Sequence, residues 1–336
     1  MTDTMLPGIL PTLQSVEQAA DALRAVFAPT PLRHSAALST LVGVPVWLKL
    51  ETAQATGSFK VRGAYTVLHR MSPTDRARGV VASSAGNHGL GVAWAAHHFG
   101  APATLYVPRH APQVKKDGIA ALGTTVNDTA DDYDHAMVLA KAHAAREGIP
   151  FINPCLGEDL LAGQGTVALE ILAACPEVQQ LFVCVGGGGL LGGVGAVLRR
   201  VAPTVRIVGA QSVRTAAMAR SVAAGRVVEI ASERTLADGL AGQIDGDALA
   251  IGQRCLDDIT VLSEEAIGEA IAWLHVHEGL RVEGAGAVTV GALLEAARAG
   301  RAPRSGTVVA IVSGRNIDAE RHAALLAQWT PSANAR

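Results

Sequence analysis

Thr56-Gly57-Ser58-Phe59-Lys60-Val61-Arg62-Gly63-Ala64 sets one lysine after a flexible Gly-Ser step and an aromatic residue, at the head of a segment that can run on as a helix. A primary amine becomes a covalent catalyst when desolvation or a neighbouring cation removes its proton. Phe59 offers an apolar wall, and Arg62 is a cation close by in sequence. Taken alone, the stretch is that of a surface lysine at a helix start. Other stretches supply what a lysine-bound cofactor needs.

Val183-Cys184-Val185 is followed by Gly186-Gly187-Gly188-Gly189 and then Leu190. Glycines at a strand end let backbone N–H groups point inward, and the next helix adds its positive end, so this is a phosphate cradle. Gly187, Gly189 and Gly192 also satisfy the dinucleotide pattern G-x-G-x-x-G, which calls for an acid about 20 residues later. The next strand, Val205 to Ala210, ends in Gln211 and Ser212, and that acid is missing. A nucleotide-binding oxidoreductase therefore stands as an alternative from a different class, the weaker one. No Gly-Lys-Ser/Thr follows, which excludes a P-loop.

Ser83-Ser84-Ala85-Gly86-Asn87-His88-Gly89 joins a strand to a helix N-terminus, where unpaired N–H groups and hydroxyls can hold a carboxylate. A plain helix cap by Ser84 or Asn87 is the competing reading. Late in the chain, Val312-Ser313-Gly314-Arg315-Asn316 closes another strand.

Together these stretches resemble the fold type II family of pyridoxal 5′-phosphate (PLP) enzymes, nearest its serine/threonine dehydratase and serine racemase branch. The resemblance runs from Thr30-Pro31-Leu32 to Ser313-Gly314-Arg315-Asn316. It implies that Lys60, beside Phe59, carries PLP covalently and that Gly186, Gly187, Gly188, Gly189 and Leu190 hold its phosphate. It implies that Ser84, Ala85, Gly86, Asn87 and His88 hold the substrate carboxylate, with Asn87 also touching the cofactor's ring hydroxyl. Ser313 would meet the pyridine nitrogen. A neutral hydroxyl there, where an Asp would keep the ring protonated, favours β-elimination over transamination. Gly239 and Glu283 take supporting places near the cofactor, and Gly163-Gln164-Gly165-Thr166 is expected to line the site.

The implied reaction is loss of water and ammonia from a β-hydroxy amino acid, giving a 2-oxo acid. Racemisation and β-replacement remain alternatives within the family. Racemases of this branch have a serine just before Gly-Asn-His; this chain has Ala85, which cannot return a proton, so inversion should be slight. Many dehydratases have an aromatic residue where this chain has Cys155, so the pocket should take a β-substituent larger than methyl. Relatives with a cation site draw carboxylates from the segment after the strand that follows the glycine loop. Here that segment is Gln211-Ser212-Val213-Arg214-Thr215-Ala216-Ala217, without an acid, and no metal is expected.

The chain has 336 residues, 49% hydrophobic and 17% charged, with net charge -2. That describes a well-buried globular chain with two lobes and argues against nucleic acid or anionic membrane as partners. The start shows no basic signal region, and the four cysteines form no CxxC pair, as expected of a reduced cytoplasmic protein. Too little chain follows Ser313 for a regulatory domain, so feedback control is not expected. Leu181 to Leu198 is uncharged, but four glycines at ~1 kcal/mol each oppose a membrane helix.

Short apolar runs alternate with helical segments, which predicts α/β architecture with parallel or mostly parallel sheets and helices on both faces. The pattern predicts helices over 15–27, 61–69, 89–99, 111–122, 131–146, 263–277 and 286–297, and strands over 44–50, 103–107, 150–152, 181–185 and 307–312. A further helix is predicted to follow the Gly163–Thr166 turn. The family implies a small closing domain, 73–154, inserted into a large cofactor-binding domain, 1–72 and 155–336, and a homodimer or homotetramer.

Overall fold

Strand and helix alternate along the chain and sort into two sheets. The computed structural model describes residues 8–231 and 233–330. The order is α1 (Leu13–Arg24), β1 (Leu32–His34), α2 (Ala36–Val42), β2 (Val46–Leu50), α3 (Lys60–Arg70), α4 (Pro73–Arg78), β3 (Val80–Ser83), α5 (Asn87–Phe99), β4 (Ala103–Pro108), α6 (Gln113–Ala120), β5 (Thr125–Ala130) and α7 (Tyr133–Glu147). Then come α8 (Glu158–Ala174), β6 (Val178–Cys184), α9 (Gly189–Val201), β7 (Arg206–Ser212), α10 (Ala217–Ala224), α11 (Gly246–Cys255), β8 (Asp258–Leu262), α12 (Glu264–Glu278), α13 (Gly284–Arg298), β9 (Thr307–Val312) and α14 (Ala319–Trp329).

The larger sheet has the order β1-β2-β9-β6-β7-β8 and the smaller β3-β4-β5. Every pairing is parallel except β1 with β2. A strand buried on both faces carries an unbroken apolar run, and β9, Thr-Val-Val-Ala-Ile-Val, lies wholly buried between β2 and β6. All three strands of the small sheet fall between residues 80 and 130, but its core reaches further. Leu23 of α1, Ala64, Tyr65 and Leu68 of α3 and Leu160 of α8 pack in the same cluster as Val80, Ala82 and Leu105.

Several expected boundaries shift. The first helix begins at Leu13, capped by Thr12, whose hydroxyl accepts from Ser15 N; Ser15 is inside it. Phe151 makes only an isolated bridge with Val81 and no strand. Gly163–Thr166 is no turn: it lies inside α8.

Candidate active site

In parallel α/β sheets, ligands sit outside the carboxyl ends of the strands. Here three such ends converge: β6 runs into Gly186–Gly189, β9 into Ser313, and β3 into the Ser84–His88 loop. Lys60 starts α3 immediately after a bridge between Ser58 and Gly314, and Phe59 N donates to Ser313 O at 3.2 Å. The Lys60 ammonium donates to Pro154 O at 2.7 Å and sits 5.3 Å from the Phe59 ring centroid. The next residue, Cys155, packs on the glycine loop. A methyl group on Gly187 would come within 2.7 Å of Cys155 Sγ, and one on Gly189 within 3.2 Å of its Cα. The lysine and the loop thus share one wall, and Cys155 is part of it.

Gly188 holds φ at +90°, a left-handed conformation that favours glycine, and α9 starts there without a side-chain cap. Backbone N–H groups and the helix's positive end are left for an anion. Opposite, α5 starts at Gly86, also without a side-chain cap, because the Ser84 hydroxyl accepts from Gly86 N at 3.0 Å. Neither Ser84 nor Asn87 caps the helix. Residues 84–87 are half-exposed, and His88 is buried behind them. His88 Nε2 lies 3.1 Å from Ile152 O, which can only accept, so Nε2 carries the proton and Nδ1 a lone pair. Burial first, then the charge of Lys60, pulls its pKa down to about 3, and the ring is neutral.

Asn87 joins the two sheets. Its Nδ2 donates to Glu283 Oε1 at 2.6 Å, and its Oδ1 accepts from Asn316 Nδ2 at 2.6 Å. Burial pushes the Glu283 carboxyl up to about 7; the Asn87 hydrogen bond works against this, Asp238 adds to it, and Lys115 opposes it. Ser313 Oγ donates to Ala285 O at 3.2 Å and touches the thiol of Cys184, itself pushed up to about 11 by burial.

These residues fit PLP. The glycine loop is a cradle whose inward face side chains would fill. Ser58 Oγ, Ser83 Oγ and His88 Nδ1 are buried without partners among the described residues, the signature of an unmet polar group.

The other predicted residues divide. Gly239 lies in the Asp238–Leu240 turn; that turn's Leu240 is against Gly186, and Gly239 itself is against Ala285. Leu190 is buried in the main core, so its backbone N–H is what it can offer. Arg62 does not face Lys60. Its guanidinium is buried between Glu51 (2.8 and 2.9 Å) and Glu170 (2.6 and 2.9 Å), with Lys49 Nζ 2.5 Å from Glu170. Gly163–Thr166 does not line the cleft either. It is fully buried, with Gly163 against Arg62 O and Gly165 against Gly193 O. The acid missing around Ser212 comes from elsewhere: Glu264 of α12 accepts from Ser212 Oγ (2.5 Å), Thr235 Oγ1 (2.7 Å) and Leu236 N (2.5 Å). Among the described residues no group of three His, Cys, Asp or Glu could hold a metal. Sequence reasoning gave no part to Pro154 or Asn316, while Ala285 stands in the Glu283–Gly286 stretch expected to support the cofactor. Asn316 carried one signal, its place three residues after Ser313.

A mostly parallel two-sheet fold with a lysine facing a glycine loop is that of the fold type II PLP enzymes. The family model described as pyridoxal-phosphate dependent enzyme matches residues 23–314, and the chain belongs to that family. An L-threonine ammonia-lyase of Thermotoga maritima is 39% identical over 309 residues, 91% of this chain and 76% of its own length. Among solved structures, a threonine deaminase from Solanum lycopersicum, in its processed form, superposes with TM-score 0.86 at 28% identity, over 96% of this chain and 92% of its own. Maize serine racemase gives TM-score 0.88 at 28% identity, over 95% and 99%.

Proposed function

We propose that this chain is a PLP-dependent ammonia-lyase that removes the β-hydroxyl and the amine of a 3-hydroxy amino acid, yielding a 2-oxo acid and ammonia. The observation that carries it is the meeting of Lys60, the glycine loop, Asn87 and Ser313 in one cleft. When bound, PLP supplies the electron sink that acidifies the substrate Cα–H. The residues do the rest. Lys60 holds the cofactor through its amine and, once displaced, takes the proton from Cα as general base. The Gly186–Gly189 N–H groups and the start of α9 bind phosphate. The uncapped start of α5, with Ser84, Ala85 and Gly86, receives the substrate carboxylate. Asn87 would offer an N–H to the ring oxygen, and Ser313 would turn its neutral hydroxyl from Ala285 O to the ring nitrogen, a weaker pull on electrons than a carboxylic partner would give, which favours elimination over transamination.

Two details refine the substrate. Ala85 has no proton to deliver, and Ser84 is one residue earlier, its oxygen turned to accept from Gly86 N, so elimination outruns inversion. Cys155 is half-exposed beside Gly187, and a thiol in place of a ring leaves room at the β-carbon for an aryl or branched substituent. The segment 73–154 acts as the closing lobe. The enzyme works as a cytoplasmic homodimer or homotetramer, a placing supported by its four free cysteines.

The test is purification, a visible spectrum, and a screen of serine, threonine, 3-hydroxyaspartate and 3-phenylserine for 2-oxo acid release. A yellow, borohydride-sensitive protein is expected, and Lys60→Ala loses both colour and activity. Retention of either overturns the assignment. Cys155→Phe cuts kcat/KM for 3-phenylserine more than for threonine. Threonine as best substrate with an indifferent Phe variant removes the enlarged pocket.

A further inference from the structure

The hydrogen-bond chain through Asn87 has a fixed direction. Thr56 O is a backbone carbonyl and can only accept, so the atom of Asn316 that meets it at 2.7 Å is Nδ2. The same Nδ2 lies 2.6 Å from Asn87, so the Asn87 atom facing it is the acceptor, Oδ1. The other end of that amide, Nδ2, therefore faces Glu283 Oε1 at 2.6 Å. Amide orientation is ordinarily an assignment, but here a main-chain carbonyl at one end and a carboxyl at the other determine it. Room for Asn316 comes from Gly57, at φ +74°, where any Cβ would fall 2.5 Å from Asn316 Oδ1. Among the described residues, one N–H of Asn87 engages Glu283 and the second has no protein partner.

We propose that Asn316 is a positioning residue that holds the Asn87 amide with its N–H, not its C=O, towards the cofactor's ring oxygen. This rests on the PLP reading of the cleft. Asn316 touches neither cofactor nor substrate in this role; it acts through Asn87. An amide turned over would put an oxygen lone pair against an oxygen, and a donor would become a repulsion.

Reversing the chain tests this. In Asn316→Asp the residue can no longer donate to Thr56 O or to Asn87, and Asn87 must turn over, setting its Oδ1 against Glu283. Measured well above pH 7, where the Glu283 carboxyl has given up its proton and cannot donate, the cofactor-free protein loses thermal stability. Adding Glu283→Gln gives the turned amide a donor at that end, so Asn316→Asp/Glu283→Gln regains stability with the chain running the other way. PLP affinity, read by fluorescence titration of the cofactor-free proteins, stays about tenfold to a hundredfold weaker in both variants, the range for a lost hydrogen bond to a charged group. The pH midpoint of the bound cofactor's visible band also stays displaced in both. Glu283→Gln alone, with Asn87 unturned, keeps the wild-type midpoint more nearly than the double variant does. Recovery of affinity and midpoint along with stability in the double variant would mean that Asn316 is merely structural and would overturn the proposal. Unchanged affinity in Asn316→Asp and in Asn316→Ala would do so too. A wild-type protein that binds no PLP would instead strike at the function itself.

Discussion

The Glu283 carboxyl is buried and its hydrogen-bond partner is a neutral amide, so only the charge of Lys115 works to offset its own, and burial outweighs it. Its pKa stands at about 7 against an ordinary 4.5, with burial as the main cause. The consequence for stability has a definite sign. Below pH 4.5 the group is neutral both folded and unfolded and costs nothing. Between 4.5 and 7 the unfolded side chain ionises while the folded one keeps its proton, so stability falls as pH rises. Above 7 the full cost is present, roughly 3 kcal/mol. Glu283→Gln removes it. In the cofactor-free protein, urea unfolding should show the gap between variant and wild type widening by about 3 kcal/mol from acid to about pH 8. A gap that does not change with pH would mean that this carboxyl ionises normally. At this scale the sequence was legible wherever chemistry needs a residue type in a local pattern, as at Lys60, Asn87 and Ser313. Asn316 was not, because its partners Thr56 and Asn87 are 260 and 229 positions away.

Elements packed behind the site show why some of them could not be read. Strands β3, β4, β6 and β9 are short apolar runs, and their period is a property of the local sequence. Helix α8 is decided by packing. Gly-Gln-Gly reads as a turn on propensity, but α3, α8 and α9 approach to backbone contact there. A Cβ on Gly163 would fall 2.7 Å from Gly63 Cα, and one on Gly193 2.6 Å from Gly165 N. Tertiary contact overrides a propensity cost of about 1 kcal/mol per glycine. At the sheet edge, β8 is half-exposed and lacks the unbroken apolar run that marked the buried strands. The same helices carry the ion cluster of Lys49, Glu51, Arg62 and Glu170, which ties β2 and the turn after it to α3 and α8. Arg62 reads in sequence as a neighbour of Lys60, but two residues along a helix turn it to another face. Glu51 is wholly buried and Arg62 nearly so. Arg62→Met would leave buried Glu51 with the Thr30 hydroxyl as its hydrogen-bond donor in place of a guanidinium and should destabilise the fold by about 3–5 kcal/mol. Urea unfolding measures this. A loss under about 1 kcal/mol would show the cluster to be dispensable, as exposed pairs are.

Across the whole molecule the two sheets meet in two different ways. On one side the contact is apolar and continuous, with α1 and α3 sharing the core of the small sheet. At the cleft the contacts are polar: Asn87 with Glu283 and Asn316, and Lys115 of α6 with Asp238, 3.9 Å apart. Asp238 also lies 3.7 Å from Arg321, so it is held from both the small-sheet helix and α14. An apolar side resists opening, whereas a partly exposed ion pair is weak and screened, so the cleft side is where the molecule can part. Lys115 and Asp238 are close enough to influence Glu283, which places the pair at the site. If this pair helps hold the cleft shut over substrate, Lys115→Met should raise KM for the amino acid by no more than about fivefold, the worth of an exposed pair, and leave kcat unchanged. The sharper sign is the salt dependence. Wild-type kcat/KM should fall as ionic strength rises towards about 0.5 M, because the Debye length shrinks to a few ångströms. The variant should stay flat. A parallel fall in both would mean that closure draws on other charges and that the pair is an ornament of the surface, while a large loss of kcat in Lys115→Met would place Lys115 in the chemistry itself.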